Sequence, residues 1–339
     1  MIQEQADLTL MNTFQIQAKA RYYAEVDHPD TLKKIMDSEV FRTNKVLILG
    51  GGSNVIFTKD FDGLVIHPTL KGISVNSIGS GDQVLVTAAA GENWHGLVTY
   101  CVEKNLGGIE NLALIPGNCG AAPIQNIGAY GKELADVVEW VDTIDLLTGA
   151  THRFGAEECQ FGYRDSLFKH PKGKNFFISS ITLRLTAKNH IIDASYSGLK
   201  EELQAMGEKE LSIRDIYTSV VSVRKRKLPD PQVTGNAGSF FKNPVITKSL
   251  FLKLQHEHPT IPFYNIDNQL IKIPAAWLIE QAGWKGKHVG SVGVHARQAL
   301  VIINLGGARG KEILEFSEHI QQDVLQQFGI QLEREVNII

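Results

Sequence analysis

Cysteine is scarce in this 339-residue chain: Cys101, Cys119 and Cys159 are the only three, and none stands at C-x-x-C spacing. That argues against a disulfide framework and a thiolate zinc site, and it fits a reducing compartment. A surplus of one charge is also lacking. Lys and Arg number 34 against 37 Asp and Glu, a net charge of -3, so wholesale nucleic-acid binding is not expected. No apolar run is long enough to span a bilayer, so membrane insertion is not expected. The opening residues Met1 to Asp7 carry neither a basic region nor an apolar stretch, so no signal peptide is expected and the location is read as cytoplasmic. Internal repeats and low-complexity segments are absent. What remains is 43% hydrophobic and 21% charged, ordinary for a soluble globular chain with room for two or three domains.

Strands and helices mix without regular βαβ alternation, which argues an α+β fold. Val46-Leu47-Ile48-Leu49 reads as a buried strand running into three glycines, with further strands at Val55-Ile56-Phe57, Leu64-Val65-Ile66 and Val84 to Ala88. Glu92 to Lys104 reads as a helix with Leu97, Val98, Cys101 and Val102 on its apolar face. Strands follow at 137–147 and 176–185. Ser212 is placed to cap a helix carrying Ile213, Ile216, Tyr217, Val220 and Val221. Leu228-Pro229-Asp230-Pro231 stops it and marks a domain boundary. Beyond lie a helix at 275–282, a strand at 299–304, a helix at 311–328 and a last strand at 331–338.

Gly50-Gly51-Gly52-Ser53-Asn54 does not fit a dinucleotide fingerprint, because Val55 takes the third glycine's place and a strand follows instead of a helix. Two readings stay open: a tight strand–strand turn, or an anion cradle in which backbone N–H groups, Ser53 and Asn54 converge on a diphosphate. A second segment, Leu112 to Gly131, is long, glycine-spaced and weakly charged. Gln125 and Asn126 there offer amide groups suited to the edge of a heterocycle. Such a loop is more often functional than idle.

Three further frames stand out: Phe161-Gly162-Tyr163-Arg164-Asp165-Ser166, Asn236-Ala237-Gly238-Ser239-Phe240-Phe241-Lys242-Asn243-Pro244, and Glu333-Arg334-Glu335-Val336. Each key side chain has a plain structural reading: Arg164 as an ion pair with Asp165, Ser239 as a turn or helix cap, Glu335 as solvated surface. Arg224-Arg226 with Lys225 and Lys227 makes a basic run that reads as a solvated helix end. His256-Glu257-His258 alternates imidazoles but shows no third ligand, so no metal is expected.

Taken in order, the glycine turn, Pro116-Gly117, Asn126 to Gly131, the Arg164 frame, Lys227-Leu228-Pro229-Asp230-Pro231, the Ser239 frame and Glu335 resemble the UDP-N-acetylenolpyruvoylglucosamine reductase family across nearly the whole chain. The tyrosine contexts match the form with a substrate-covering tyrosine loop. The resemblance implies a two-subdomain FAD-binding fold of the vanillyl-alcohol oxidase (PCMH) type over 15–188, split near residue 70. It further implies a tyrosine loop and connecting helix over 189–228, and a C-terminal α+β substrate domain over 229–339. FAD is then expected at Gly50, Gly51, Gly52, Ser53, Asn54, Pro116, Gly117, Gln125, Asn126, Gly128, Ala129 and Tyr130. NADPH and UDP-N-acetylglucosamine enolpyruvate are the expected small-molecule partners. Tyr196, Lys227, Asn243, Tyr264 and Gln298 are the expected substrate contacts, and the protein is expected to act as a monomer.

The implied reaction adds hydride from flavin N5 to the vinyl carbon of an enolpyruvyl ether. The conjugated carboxylate takes up the developing charge, so the site must hold an enolate and then protonate it. By resemblance Arg164 and Glu335 hold the enolate and Ser239 gives the proton. The chain departs from the family pattern at Cys119, Ala121 and Ala122, at Arg334 where proline is usual, and in its short tail, which is expected to loosen the Glu335 strand.

Overall fold

Alternation of apolar and polar residues builds the largest sheet. Along Gln83–Ala89, Val84, Val86 and Ala88 are buried while their neighbours are not. This strand pairs with Ile73–Ser77 on one side and Phe176–Thr186 on the other. Val138–Asp145 and Thr151–Gly155 complete a five-stranded antiparallel sheet. The computed structural model describes residues 2–79, 81–205, 207 and 210–339. They divide into two compact units.

The first unit holds the chain up to Ala6, Ala20–Gly51 and Asp62–Arg226. Besides the five-stranded sheet it contains a four-stranded one, ordered Gln3–Asp7, Lys19–Val26, Phe61–Pro68, Lys45–Ile48. The last two strands run parallel, in register from Lys45↔Gly63 to Ile48↔Ile66. Four consecutive buried residues, Gly63 to Ile66, mark Phe61–Pro68 as covered on both faces. Ala24, Val26, Leu64 and Ile66 meet Ile144, Leu146 and Phe177 in one core shared by the two sheets.

A second core lies under two helices. Trp94–Glu103 buries Leu97, Val98, Cys101 and Val102, and Ile213–Lys227 buries Ile216, Val220 and Val223. The first helix begins two residues later than its apolar pattern suggests, because the Asn93 side chain caps it by accepting the Gly96 N–H at 2.9 Å. Ser212 caps the second, accepting the Asp215 N–H at 3.3 Å.

The second unit holds Asp7–Lys19, Gly52–Phe61 and Lys227–Ile339. Its four-stranded sheet is ordered Gly235–Ser239, Val301–Asn304, Val292–Val294, His288–Val289, and Val245–Thr247, Leu270–Lys272 and Tyr264–Asn265 form a smaller one. The helix Gly310–Phe328 buries Ile313, Phe316, Ile320, Val324 and Phe328, then ends at left-handed Gly329.

The terminal segment differs from the single strand expected over 331–338. It changes partner midway: Arg334 bridges antiparallel to Phe241, whereas Asn337–Ile338 runs parallel to Val55–Ile56. The short tail is not left loose. The Thr58 N–H and hydroxyl both donate to the Ile339 main-chain oxygen at 2.8 Å. Among the described residues no helix is long and apolar enough to cross a membrane.

Trp94 is 1% exposed, and its indole N–H donates to the Leu112 carbonyl at 3.0 Å. Trp94→Phe leaves that carbonyl without its donor, and urea unfolding should show a loss of about 1–3 kcal/mol. A loss below about 0.5 kcal/mol would mean that the bond does not hold the 110–113 turn.

Candidate active site

Arg164 sits in a tight turn. Gly162 and Asp165 exchange backbone hydrogen bonds at 3.0 and 3.2 Å, and Arg164 takes φ 55° at the turn position where glycine or asparagine is usual. A long side chain held in left-handed backbone is strain that the surroundings must enforce, and such strain gathers at functional positions. Asn126 is one enforcer. Fully buried, it donates to the Gly162 carbonyl at 3.0 Å and to Glu133 at 2.7 Å, and accepts the Ala135 N–H at 2.9 Å. Ser166 donates to the Ile124 carbonyl at 2.7 Å. Arg164 itself donates to the Gly128 carbonyl at 2.8 Å. Asp165 pairs with His170 at 2.9 Å. Asn126 therefore does not offer its side-chain amide to a heterocycle edge, because that amide is committed to holding the Arg164 turn.

The glycine turn meets the long loop backbone to backbone. A Cβ on Gly51 would lie 3.0 Å from the Gly117 Cα, and one on Gly50 would lie 3.2 Å from the Ala121 Cβ. Residues 66 and 71 positions apart thus form one cradle with few side chains in it, which suits the close approach of a diphosphate. Cys119 points into the core, fully buried, and burial pushes its thiol above the ordinary range. Around the cradle, Gly117, Gln125, Gly128, Ala129 and Tyr130 are half-buried and Pro116 is exposed. The close glycine packing leaves mainly backbone at this edge, the kind of surface that takes a phosphate arm.

Tyr130, also left-handed at φ 51°, stands edge-on to Tyr196 with ring centroids 5.3 Å apart. Here the structure adds a residue that the basic run concealed. Arg224 is not simple surface: its Nε is buried without a partner among the described residues. Burial pushes its guanidinium down from the ordinary value; Tyr130 opposes that shift and the charge of Arg164 adds to it. Two guanidinium groups and a phenol thus share one electrostatic neighbourhood. Arg226 pairs instead with Glu202.

His95 borders the same group. Its ring stacks on Tyr217 at 5.9 Å, and its Nδ1 accepts the N–H of Leu114, another left-handed residue at φ 59°. Burial first, then Arg224 and Lys225, lower its pKa.

In the second unit, Ser239 owes its direction to a bulge. Asn236 lies opposite Ile303 and Ser239 opposite Val301, so the Ser239 strand carries one extra residue. Gly238 takes φ 68° there, and its N–H is held by the Asn236 side chain at 2.9 Å. Phe240 and Phe241 are buried and anchor the strand. Glu335 is 9% exposed, and its N–H donates to the Phe240 carbonyl at 2.8 Å. The hydroxyl and the carboxylate therefore lie on adjoining backbone segments. Asn54 donates to the Glu335 carbonyl at 3.1 Å, so this member of the glycine-turn motif anchors the Glu335 segment. Gly52 is buried, with Ser53 and Asn54 half-buried.

The expected substrate contacts fall in several places. Gln298 lies in the turn before Val301–Asn304, the strand paired with that of Ser239. Asn243 accepts the Ala275 N–H at 2.9 Å at the start of a helix. Lys227 ends its helix exposed, and Tyr264 is 50% exposed. Tyr196 lies in the first unit with Tyr130.

Comparison with known proteins agrees over the whole length. A family model described as an FAD binding domain matches residues 20–155, and one described as the UDP-N-acetylenolpyruvoylglucosamine reductase C-terminal domain matches 230–339. The chain is 46% identical over 339 residues to the UDP-N-acetylenolpyruvoylglucosamine reductase of Amoebophilus asiaticus, covering 100% of this chain and 99% of that one. It is 45% identical over 338 residues to that of Flavobacterium johnsoniae, covering 100% and 99%. Among solved structures, the Thermus caldophilus reductase superposes with a TM-score of 0.68 at 23% identity, covering 100% of this chain and 99% of that one. A solvent-stable cholesterol oxidase superposes at 0.51 with 12% identity, covering 98% and 86%, a likeness of fold alone. The α+β fold is thus the two-subdomain FAD-binding type with a C-terminal α+β domain.

The depressed His95 pKa carries a pH signature. The unfolded chain binds a proton at this residue near its ordinary value of 6.5, which the folded chain resists. Stability is therefore full above that value and falls as pH drops below it. His95→Asn should flatten the drop in urea midpoint between pH 7.5 and pH 5.5. An unchanged drop would assign it to other groups.

Proposed function

Because the chain belongs to the UDP-N-acetylenolpyruvoylglucosamine reductase family, we propose that it reduces UDP-N-acetylglucosamine enolpyruvate to UDP-N-acetylmuramate with NADPH, a cytoplasmic step of peptidoglycan precursor synthesis. FAD, when bound in the cradle, supplies the hydride chemistry that links NADPH to the vinyl carbon. The remaining work falls to side chains of this protein.

The observation that carries the reading is the Ser239 bulge beside the Glu335 segment. Hydride addition to a vinyl carbon leaves negative charge spread into the adjoining carboxylate. A proton must then reach the other carbon. Ser239 holds the hydroxyl for that proton on a strand pinned by two buried phenylalanines. Glu335 orients the enolate, with its own backbone fixed by Phe240 and Asn54. Arg164 neutralises the carboxylate with a planar, multidonor head whose turn is locked by Asn126. Asn126 thereby acts as a positioning residue. Arg224, desolvated beside Tyr130 and Arg164, adds a second fixed positive charge for an anionic ligand.

Lys227, Asn243, Gln298, Tyr264 and Tyr196 complete the reading as contacts for the substrate, the two tyrosines at its diphosphate. A phenol gives a diphosphate both a hydrogen bond and an apolar cover. The reaction as written asks for one copy of the chain.

Ser239→Ala tests the proton assignment. The variant should hold FAD and bleach with NADPH as the parent does, while turnover of the enolpyruvyl substrate falls by about 10²–10⁴-fold. If both half-reactions keep their rates, Ser239 is not the proton donor.

A further inference from the structure

Asn111 has no place in the chemistry above, yet it joins two parts that do. It lies on the short turn Glu110–Leu112 and is 3% exposed, between fully buried Ile109, Leu112 and Ala113. That turn is rigid: Glu110 accepts the Gly108 N–H at 2.7 Å, and Trp94 donates to Leu112. From this base the Asn111 amide donates twice, to the Tyr130 carbonyl at 3.0 Å and to the Asp193 carbonyl at 3.1 Å. The two acceptors belong to segments more than 60 residues apart in sequence.

Each acceptor sits where it fixes a tyrosine. Tyr130 is held at left-handed φ through its own carbonyl. Asp193 opens a turn in which its carboxylate accepts both the N–H and the hydroxyl of Ser195, at 3.0 and 2.7 Å, and this turn delivers Tyr196 edge-on to Tyr130. One buried NH₂ group with two hydrogens thus serves both segments, and neither can shift without disturbing the bond to the other.

We propose that Asn111 is a positioning residue that couples the Tyr196 loop to the Tyr130 segment, so that ligand contact at the loop is felt at residues 128–131 beside Arg164. The inference rests on the functional reading above in taking Tyr196 to meet the UDP substrate. Asn111 itself touches no reacting atom; its part is to make ordering of the loop and of the cofactor-side segment a single event.

Hydrogen exchange on the FAD-loaded full chain tests this, with UDP-N-acetylmuramate as the probe. In the parent protein the probe should slow exchange at 193–199 and at 128–131 together. Asn111→Leu keeps the size but gives no hydrogen to either carbonyl. It should lose the protection at 128–131 and raise KM for the enolpyruvyl substrate roughly tenfold. Asn111→Ala also removes both bonds and should behave alike. Parental coupling and KM in either folded variant would overturn the inference. So would protection confined to 193–199 in the parent protein, a result that needs no variant to fold. If the probe protects neither segment of the parent, the functional reading falls and this inference with it.

Discussion

Left-handed backbone at residues that carry side chains is the constraint on which the first unit's site depends. Leu114, Tyr130 and Arg164 all adopt it. Each costs on the order of 1–3 kcal/mol, so each needs a partner that prefers the strained form. The partners are visible: His95 for Leu114, Asn111 for Tyr130, and Asn126 for the turn that bears Arg164. The strain aims an arginine and a tyrosine where relaxed backbone would not. Three buried or half-buried polar side chains pay for it.

The second unit solves its aiming problem differently. One left-handed glycine and one extra residue re-aim Ser239, and the register on either side is kept by buried phenylalanines and by the Glu335 segment. Hydrogen bonds from Asn54 to Glu335 and from Thr58 to Ile339 fix the backbone of the Glu335 segment. The same fold frame carries cholesterol oxidase in another protein, so the frame alone does not choose the chemistry. The groups mounted on it do.

Much of this was legible in the sequence, for physical reasons. The helices at 213–227 and 310–328 announce themselves by apolar periodicity, and Ser212 by its capping position. The Ser239 frame stands out by its resemblance to the family, but the bulge that re-aims its side chain shows only in the strand register. Other features leave no local trace. Gln3–Asp7 is a polar edge strand with no apolar alternation to reveal it. Arg224 looks like its neighbours in a basic run, and only the packing of its helix shows which guanidinium turns inward. Asn126 was legible as important, but its role was not. An amide that binds a ligand and one that locks a turn read alike until its partners are known. The partner change at Arg334 depends on contacts with residues about 90 and 280 positions earlier.

The central claim is that the reducing equivalents end on an enolpyruvyl double bond. Anaerobic stopped-flow absorbance of the FAD-loaded protein tests it most directly. NADPH is added until the flavin bleaches, and the reduced protein is mixed with UDP-N-acetylglucosamine enolpyruvate or, separately, with oxygen. Rapid return of the oxidised flavin spectrum with the enolpyruvyl substrate, and slow return with oxygen, is the predicted result. No return with the substrate but rapid return with oxygen would contradict the account and mark the chain as an oxidase built on the same frame.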